Sequence, residues 1–441
     1  MQHRIPIETL GPQGQSMADA VTACVHCGFC LPSCPTYQVL GEEMDSPRGR
    51  IYLMKGALEG ELDPAQVQPH IDRCLGCMAC ESACPSGVEY HKLLLPYRAR
   101  AESAEERPFV ERIRHWLVMQ TLPYPNRFRL AISTGPLARL LRPLTPAAIR
   151  PMIDLMPASL PPAQRLPPRI QAQGTRRARV ALLTGCVQQA MEPSINQATV
   201  DVLTRNGVDV LVPEGQGCCG ALAWHSGEIG TAREFGRGIM RTFPDDVDAI
   251  IVNAAGCGSG MKEYPLAFAG EKDQEDARKI AERVMDVSVF LDRLGIIPPP
   301  QTTRPVRVAY HDACHLCHAQ KIRLEPRRLL ESIPGLELAE LDDGERCCGS
   351  AGTYNIDQPE IAAQLGQMKV AAIRRTQCDM VATGNIGCMV QMRTHLQPGA
   401  HGPIQPVLHT MEILSRAYAG TLDHGLPERQ AGAAGAAALS W

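Results

Sequence analysis

The sequence predicts an α+β multidomain chain, with a helical N-terminal domain followed by two tandem α/β modules built on parallel sheets. Three observations predict it. The 18 cysteines fall in two groups, residues 24–84 and 186–388, with none between. The first group repeats one tight spacing, which suits loops between short helices. The second group marks a duplicated alternation of apolar strands and helical stretches.

Composition limits what the thiols can do. Eighteen Cys in 441 residues are too few, in too long a chain, for a small disulfide scaffold. Met1 to Ser16 lacks the apolar core and small-residue cleavage pattern of a secretory signal. No run of 18 apolar residues is present to span a membrane. The thiols are therefore expected to hold metal. A net charge of -3 excludes a globally basic nucleic-acid binder. With 44% hydrophobic but 4% aromatic residues, the cores must be mainly aliphatic.

The N-terminal domain, residues 1–107, contains Cys24, Cys27, Cys30 and Cys34, then Cys74, Cys77, Cys80 and Cys84. Both sets read C-x2-C-x2-C-x3-C-P, the spacing of dicluster, ferredoxin-like [4Fe–4S] domains. Three thiolates two residues apart can wrap a loop round three corners of a cubane. Loop N–H groups then offset its negative charge. Pro35 and Pro85 turn the chain away after the fourth Cys. In two-cluster ferredoxins that fourth Cys ligates the other cluster. One cluster is thus assigned Cys24, Cys27, Cys30 and Cys84. The other takes Cys74, Cys77, Cys80 and Cys34. Zinc sites use two separated Cys pairs, so a Cys triplet repeated with the same tail argues against zinc. Between the motifs, Ser46 and Pro47 read as the cap and first residue of a helix. Arg48 and Arg50 on it are expected at the surface.

Residues 108–178 form a linker. Residues 108–120 have helical apolar spacing, and eleven prolines from Pro123 to Pro168 then forbid long elements. Residues 112–179 carry twelve Arg and one acid, Asp154, a local charge of about +11. Two readings stand: a belt over the flanking domains, or a docking surface for an anionic membrane face or acidic partner.

The modules span 179–300 and 304–420. Arg179–Leu183 and Arg307–His311 are strands running to Cys186 and Cys314. Second strands lead to Cys218-Cys219-Gly220 and Cys347-Cys348-Gly349. Third strands reach Cys257 and Cys388. The three pairs stand 128, 129 and 131 residues apart, the mark of a duplication. Every repeated Cys follows a strand, so each module gathers four thiols at the carboxyl edge of its sheet, where such folds bind ligands. Cys186, Cys218, Cys219 and Cys257 form one candidate metal site. Cys314, Cys347, Cys348 and Cys388 form the other, with Cys317 as an added candidate. These rims suit an iron–sulfur cluster, zinc, a redox-active disulfide pair or idle reduced thiols. Cys378 lies outside the repeat and is read as structural. Cys314 to His318 also fits the C-x-x-C-H haem spacing, but Cys314 already serves the repeat and an exported chain is not expected. The tail, 421–441, is Ala/Gly-rich at its end and expected to be disordered.

The whole order of two C-x2-C-x2-C-x3-C-P motifs, proline-rich linker and two CCG modules resembles the iron–sulfur subunits of bacterial glycolate oxidases. The runs Ala23 to Cys30, Asp45 to Tyr52, Cys347 to Tyr354 and Asn385 to Cys388 carry that resemblance. CCG subunits of heterodisulfide reductase, anaerobic glycerol-3-phosphate dehydrogenase and lactate-utilisation complexes are more distant and supply the alternative reading. The resemblance implies a non-flavin subunit with two [4Fe–4S] clusters and no catalytic residue of its own. Flavin-bearing partner subunits oxidise glycolate to glyoxylate, and this chain relays electrons towards a quinone or other membrane acceptor. It implies a cytoplasmic place, peripheral at the inner membrane. Gly260 and Gln391 stand where heterodisulfide reductase modules end in C-x-x-C, so that family's unusual cluster is not carried over. The residues support a relay independently, since no dinucleotide fingerprint or nucleophile triad is present.

Overall fold

The computed structural model describes residues 4–104, 109–146, 149–157, 159–396 and 405–426. The first part is helical: Gly14–Thr22, Pro35–Leu40, Pro47–Leu58, Pro64–Asp72, Ala79–Ser82 and His91–Ala104. Three of these begin on a proline, whose fixed φ and missing N–H suit a first helical position. Ser46 caps its helix by accepting from the Gly49 N–H at 3.0 Å, as expected. Met17, Val21, Met54, Ile71, Leu93 and Leu94 close the aliphatic core beneath the two cysteine loops.

The prolines of the linker divide it into short helices, Phe109–Thr121, Pro125–Ser133, Gly135–Leu140 and Arg150–Asp154. Val118, Ile132 and Ile153 turn inward. Its arginines are used within the belt. Arg142 forms a bidentate pair with Asp154 at 2.6 and 2.7 Å. Arg129, Arg139 and Arg150 donate to the carbonyls of Pro161, Met156 and Thr145. Arg114 reaches Asp357 of the second module at 2.8 Å.

Among the described residues, nine strands form two sheets. The first contains β1 (Arg169–Ile170), β2 (Ala178–Leu183), β3 (Val208–Leu211), β4 (Ala249–Val252) and β5 (Val284–Asp286), in the order β1-β3-β2-β4-β5. The second contains β6 (Val306–His311), β7 (Leu336–Glu340), β8 (Met380–Thr383) and β9 (Val407–His409), in the order β7-β6-β8-β9. All pairings are parallel except β1 with β3. Without β1 the two orders are the same, so the duplication extends to topology. β2 and β4 are almost wholly apolar because helices cover both faces. β1 belongs to residues read as linker; its antiparallel pairing extends the first sheet at its edge.

The modules share one core. Val180, Leu182 and Ile251 of the first pack in the same cluster as Val308, Tyr310 and Met380 of the second. Helix Pro193–Arg205 lies against Thr410–Tyr418, and Val287–Leu294 against Leu324–Glu331. The start of the expected disordered tail is ordered. Leu422 is buried in the shared core, and Asp423 accepts from the Thr303 N–H at 2.6 Å. Residues 427–441 lie outside the described residues.

Candidate metal centres

The two cysteine loops have the same backbone device. His26 and Gly28 have φ of 55° and 86°, and Gly76 and Met78 have φ of 61° and 60°. These are equivalent positions, two and four residues after Cys24 and Cys74. Alternating left- and right-handed residues turn successive N–H groups to one side, forming a concave nest for negative charge. The Gly76 N–H donates to Cys74 Sγ at 3.4 Å.

Each loop borders a cavity. Cys24, Cys27, Cys30 and Cys84 line the first, together with Cys80. Cys34, Cys74, Cys77 and Cys80 line the second. Thus the fourth Cys of each motif lies with the other motif's triplet, and Cys80 borders both cavities. The first cavity opens beside exposed Val25 and Phe29. The second is deep.

Buried thiols are poor homes for uncompensated charge. Burial pushes Cys77 and Cys80 well above the usual thiol range and Cys30 up to about 11. Burial also acts to raise Cys74, but the Arg50 and Arg98 guanidiniums bring it below its ordinary value. Thiolates packed in this way need a compensating cation, and four thiols at each cavity fit the donor set of a [4Fe–4S] cluster. Arg50 corrects the surface expectation. It is 1% exposed and donates to Cys34 Sγ at 3.8 Å, Thr36 Oγ1 at 3.0 Å and the His70 carbonyl at 2.7 Å. Asp45 balances it at 3.3 Å. Arg48 is partly exposed and pairs with Glu43 at 2.8 Å.

The module cysteines form two matching rows. Cys186 Sγ donates to Cys218 Sγ at 3.5 Å, and Cys314 Sγ to Cys347 Sγ at 3.8 Å. Hydrogen bonds from Cys218 and Cys257 hold the Cys219 thiol far below its ordinary pKa. Those from Cys347 and Cys388 do the same at Cys348. Gly220 and Gly349 adopt φ of 80° and 93°, and a Cβ there would meet the Ala232 and Ala362 carbonyl oxygens at 2.8 and 2.7 Å. Cys317 stands apart from its row, its thiol directed to the Cys314 carbonyl at 3.8 Å. Cys378 is buried among Val381, Ile373 and Ala309. Gln391 donates to the Ala362 carbonyl at 3.0 Å.

The C-x-x-C-H segment has a structural task that its sequence did not disclose. Residues His315–Ala319 form a π-helical turn against the second cysteine loop. His315 Nε2–H donates to the Gly76 carbonyl at 3.0 Å, and Nδ1 accepts from Ser259 Oγ at 2.6 Å. His318 Nδ1 accepts from Ser82 Oγ at 2.9 Å, and its Nε2–H donates to the Glu345 carbonyl at 3.1 Å. Both rings are fully engaged in holding the turn. Cys77, Cys314 and Cys347 share one buried cluster, so the second cavity adjoins the second module's thiol row.

Comparison with known proteins agrees with this plan. The family model of a 4Fe–4S dicluster domain matches residues 20–88. The cysteine-rich CCG domain matches twice, at 180–262 and 308–393. The lactate utilization protein A of Geobacillus thermodenitrificans (strain NG80-2) is 30% identical over 238 residues, 54% of this chain and 98% of that one. The probable glycolate oxidase iron–sulfur subunit of Bacillus subtilis (strain 168) is 36% identical over 416 residues, 89% of this chain and 93% of that one. The glycolate oxidase iron–sulfur subunit of Escherichia coli (strain K12) is 38% identical over 407 residues, 91% of this chain and 95% of that one. With that identity along nearly its whole length, the chain belongs to the family of glycolate oxidase iron–sulfur subunits.

Proposed function

We propose that the chain is the electron-transfer subunit of a glycolate-oxidising complex, receiving electrons from flavin-bearing partners and passing them towards a membrane acceptor. The observation that carries this reading is the pair of adjoining cavities, one opening at the surface and one abutting the second module. Cys24, Cys27, Cys30 and Cys84 would hold one [4Fe–4S] cluster, and Cys34, Cys74, Cys77 and Cys80 the other. When bound, these clusters supply one-electron redox sites. The protein's part is placement and insulation. Cys80 and Tyr90 border both cavities and keep them adjacent. Arg50 and Arg98 set positive charge beside the inner thiolates. The apolar lip of Val25, Phe29 and Tyr52 suits a partner subunit at the outer cavity. The module thiol rows are metal sites beyond the inner cavity. The modules 179–300 and 304–420, with the belt at 108–178, are proposed as the working domains.

The test is chemical analysis of the full chain purified without oxygen. Eight irons and eight sulfides per chain are expected from the two clusters, with two interacting EPR signals on reduction. No flavin and no glycolate oxidation by the isolated chain are expected. Bound flavin with full activity in this chain alone would overturn the reading, as would zinc without acid-labile sulfide.

A further inference from the structure

We propose that the second module holds a single tetrahedral metal ion, zinc by its donor set, on His311, Cys348 and Cys388. This site is chemically unlike its counterpart in the first module. The inference rests on reading the thiol rows as metal sites, but not on electron transfer.

The first support is geometric. One donor atom from each of these three side chains lies within 4.8 Å of the other two, and all three residues are buried. Tetrahedral zinc, with Zn–S of about 2.3 Å and Zn–N of about 2.0–2.1 Å, sets its donors roughly 3.5–3.8 Å apart. A cubane binds each thiolate at a different corner, which spreads them more widely. Two sulfurs and an imidazole nitrogen converging this closely suit one ion.

The second support is an orphaned polar pair. His311 ends β6 and Thr383 ends β8, and the two are register partners. Both are fully buried, and no nitrogen or oxygen partner reaches either His311 ring nitrogen or the Thr383 hydroxyl. His311 faces the Cys348 thiol, and the Lys369 and Asp312 charges also act on it. The equivalent partners in the first module are Leu183 and Val252, at the ends of β2 and β4. The duplication therefore kept the sheet and exchanged two apolar side chains for two polar ones beside a thiol row, with His311 against the Cys348 thiol and the Thr383 hydroxyl without a partner. Buried polar groups without partners are rare unless something unseen satisfies them. An imidazole facing two thiols is satisfied by a metal.

The third support is charge. Lys369 is 1% exposed and donates to the Gly344 carbonyl at 3.1 Å. Burial works against its ammonium form and lowers its pKa, and the neighbouring Cys348, Cys347 and Cys388 thiols act the other way. The corresponding position of the first module, 129 residues earlier, is Met240. Two thiolates, Cys348 and Cys388, neutralise a divalent ion, and the Lys369 amine is tied to the Asp343 and Gly344 carbonyls beside them. Cys347, hydrogen-bonded to Cys348, is the nearest thiol for the fourth position. Asn385 Nδ2–H donates to Cys388 Sγ at 3.5 Å and orients that ligand.

The experiment compares the full chain with His311→Leu, which restores the first module's residue, and His311→Cys. Zinc, iron and sulfide are measured on anaerobically purified protein, with X-ray absorption at the zinc edge. The wild type is expected to carry one zinc with a nitrogen and sulfur shell. His311→Leu is expected to lose at least nine-tenths of that zinc while iron and sulfide stay unchanged. His311→Cys, the control should His311→Leu fold poorly, is expected to keep zinc but lose the nitrogen. Wild-type protein without zinc, zinc bound by sulfur alone, or loss of four irons in His311→Leu would each overturn the proposal. Failure of the two-cluster reading shows separately, as a wild-type iron and sulfide count that departs from eight.

Discussion

Arg50 is the residue whose removal should speak most directly to the inner site. Its guanidinium lies beside Cys34 in a pocket closed to water. A positive charge there favours the more negative, reduced state of whatever the thiolates hold. Arg50→Met is expected to lower the midpoint potential of one of two EPR signals by roughly 50–100 mV, or about 1–2 kcal/mol. The other signal should move little, and equal movement of both would contradict the assignment. Stability should fall too, because Asp45 keeps only Arg73 and His70 as ion partners. At this scale the grouping of the cysteines was legible, since a triplet spacing and its repeat are local signals. Ser46 and Pro47 were legible for the same reason. Arg50 was not: an arginine in a helix reads as solvent-facing until the opposing Asp45, Cys34 and Cys74 are brought to it by the fold. Met78 was equally hidden, since a left-handed φ at a non-glycine residue leaves no mark in sequence.

At the level of elements, strand and helix junctions tie the modules together. His409 ends β9 and caps helix Thr410–Tyr418, with Nδ1 accepting from the Met411 N–H at 3.1 Å. Its Nε2–H donates to the Asn253 carbonyl of the first module at 2.8 Å. Burial lowers its pKa to about 4. The folded state thus disfavours the imidazolium, against an ordinary value of 6.5 in the unfolded chain. This stabilising contribution is fully present above pH 6.5 and is lost as pH falls from 6.5 towards 4. One pH unit below 6.5 removes about 1 kcal/mol. His409→Asn, which can still cap, is expected to flatten part of the difference in thermal inactivation rate between pH 7.5 and 5.5. An unchanged pH dependence would assign that sensitivity elsewhere. Three strands per module were readable because each ran to a Cys. The fourth strands, β5 and β9, have three residues each and end in Asp286 and His409. They carry no such landmark, and their pairing is a product of tertiary contact. The π-helical turn at His315–Ala319 was hidden behind a haem-like motif. Its true partners, Gly76 and Ser82, lie over 230 residues away.

Across the whole molecule, the linker turns many of its arginines inward and several of its leucines outward. Its arginines are largely occupied by its own carbonyls and Asp154, which makes it a belt. Its leucines face outward: Leu130, Leu137, Leu140 and Leu144 are 60–83% exposed. Among the described residues, no helix is long and apolar enough to cross a membrane. A leucine row within a segment of about +11 charge suits the interface of an anionic bilayer. Replacing the four leucines with Ser is expected to reduce binding to phosphatidylserine-containing vesicles at least tenfold, with iron content unchanged. Equal vesicle binding by the variant, with loss of partner co-purification instead, would assign the row to a subunit interface. Arg139, Arg142 and Arg150 should be poorer targets than sequence alone implied, because neutralising them breaks the belt before it alters any docking. The seating of the π-helical turn over the second cysteine loop also bears on biogenesis. Cys74 and Cys77 are under 10% exposed once that turn is in place, whereas Cys27 is exposed. Iron delivery to the inner site is therefore expected to precede closure of the N-terminal domain on the second module, and filling or stripping of the outer site is expected to proceed in the finished protein. A chelator or mild oxidant should accordingly empty the outer site first, and the inner site only at the rate at which the domains part.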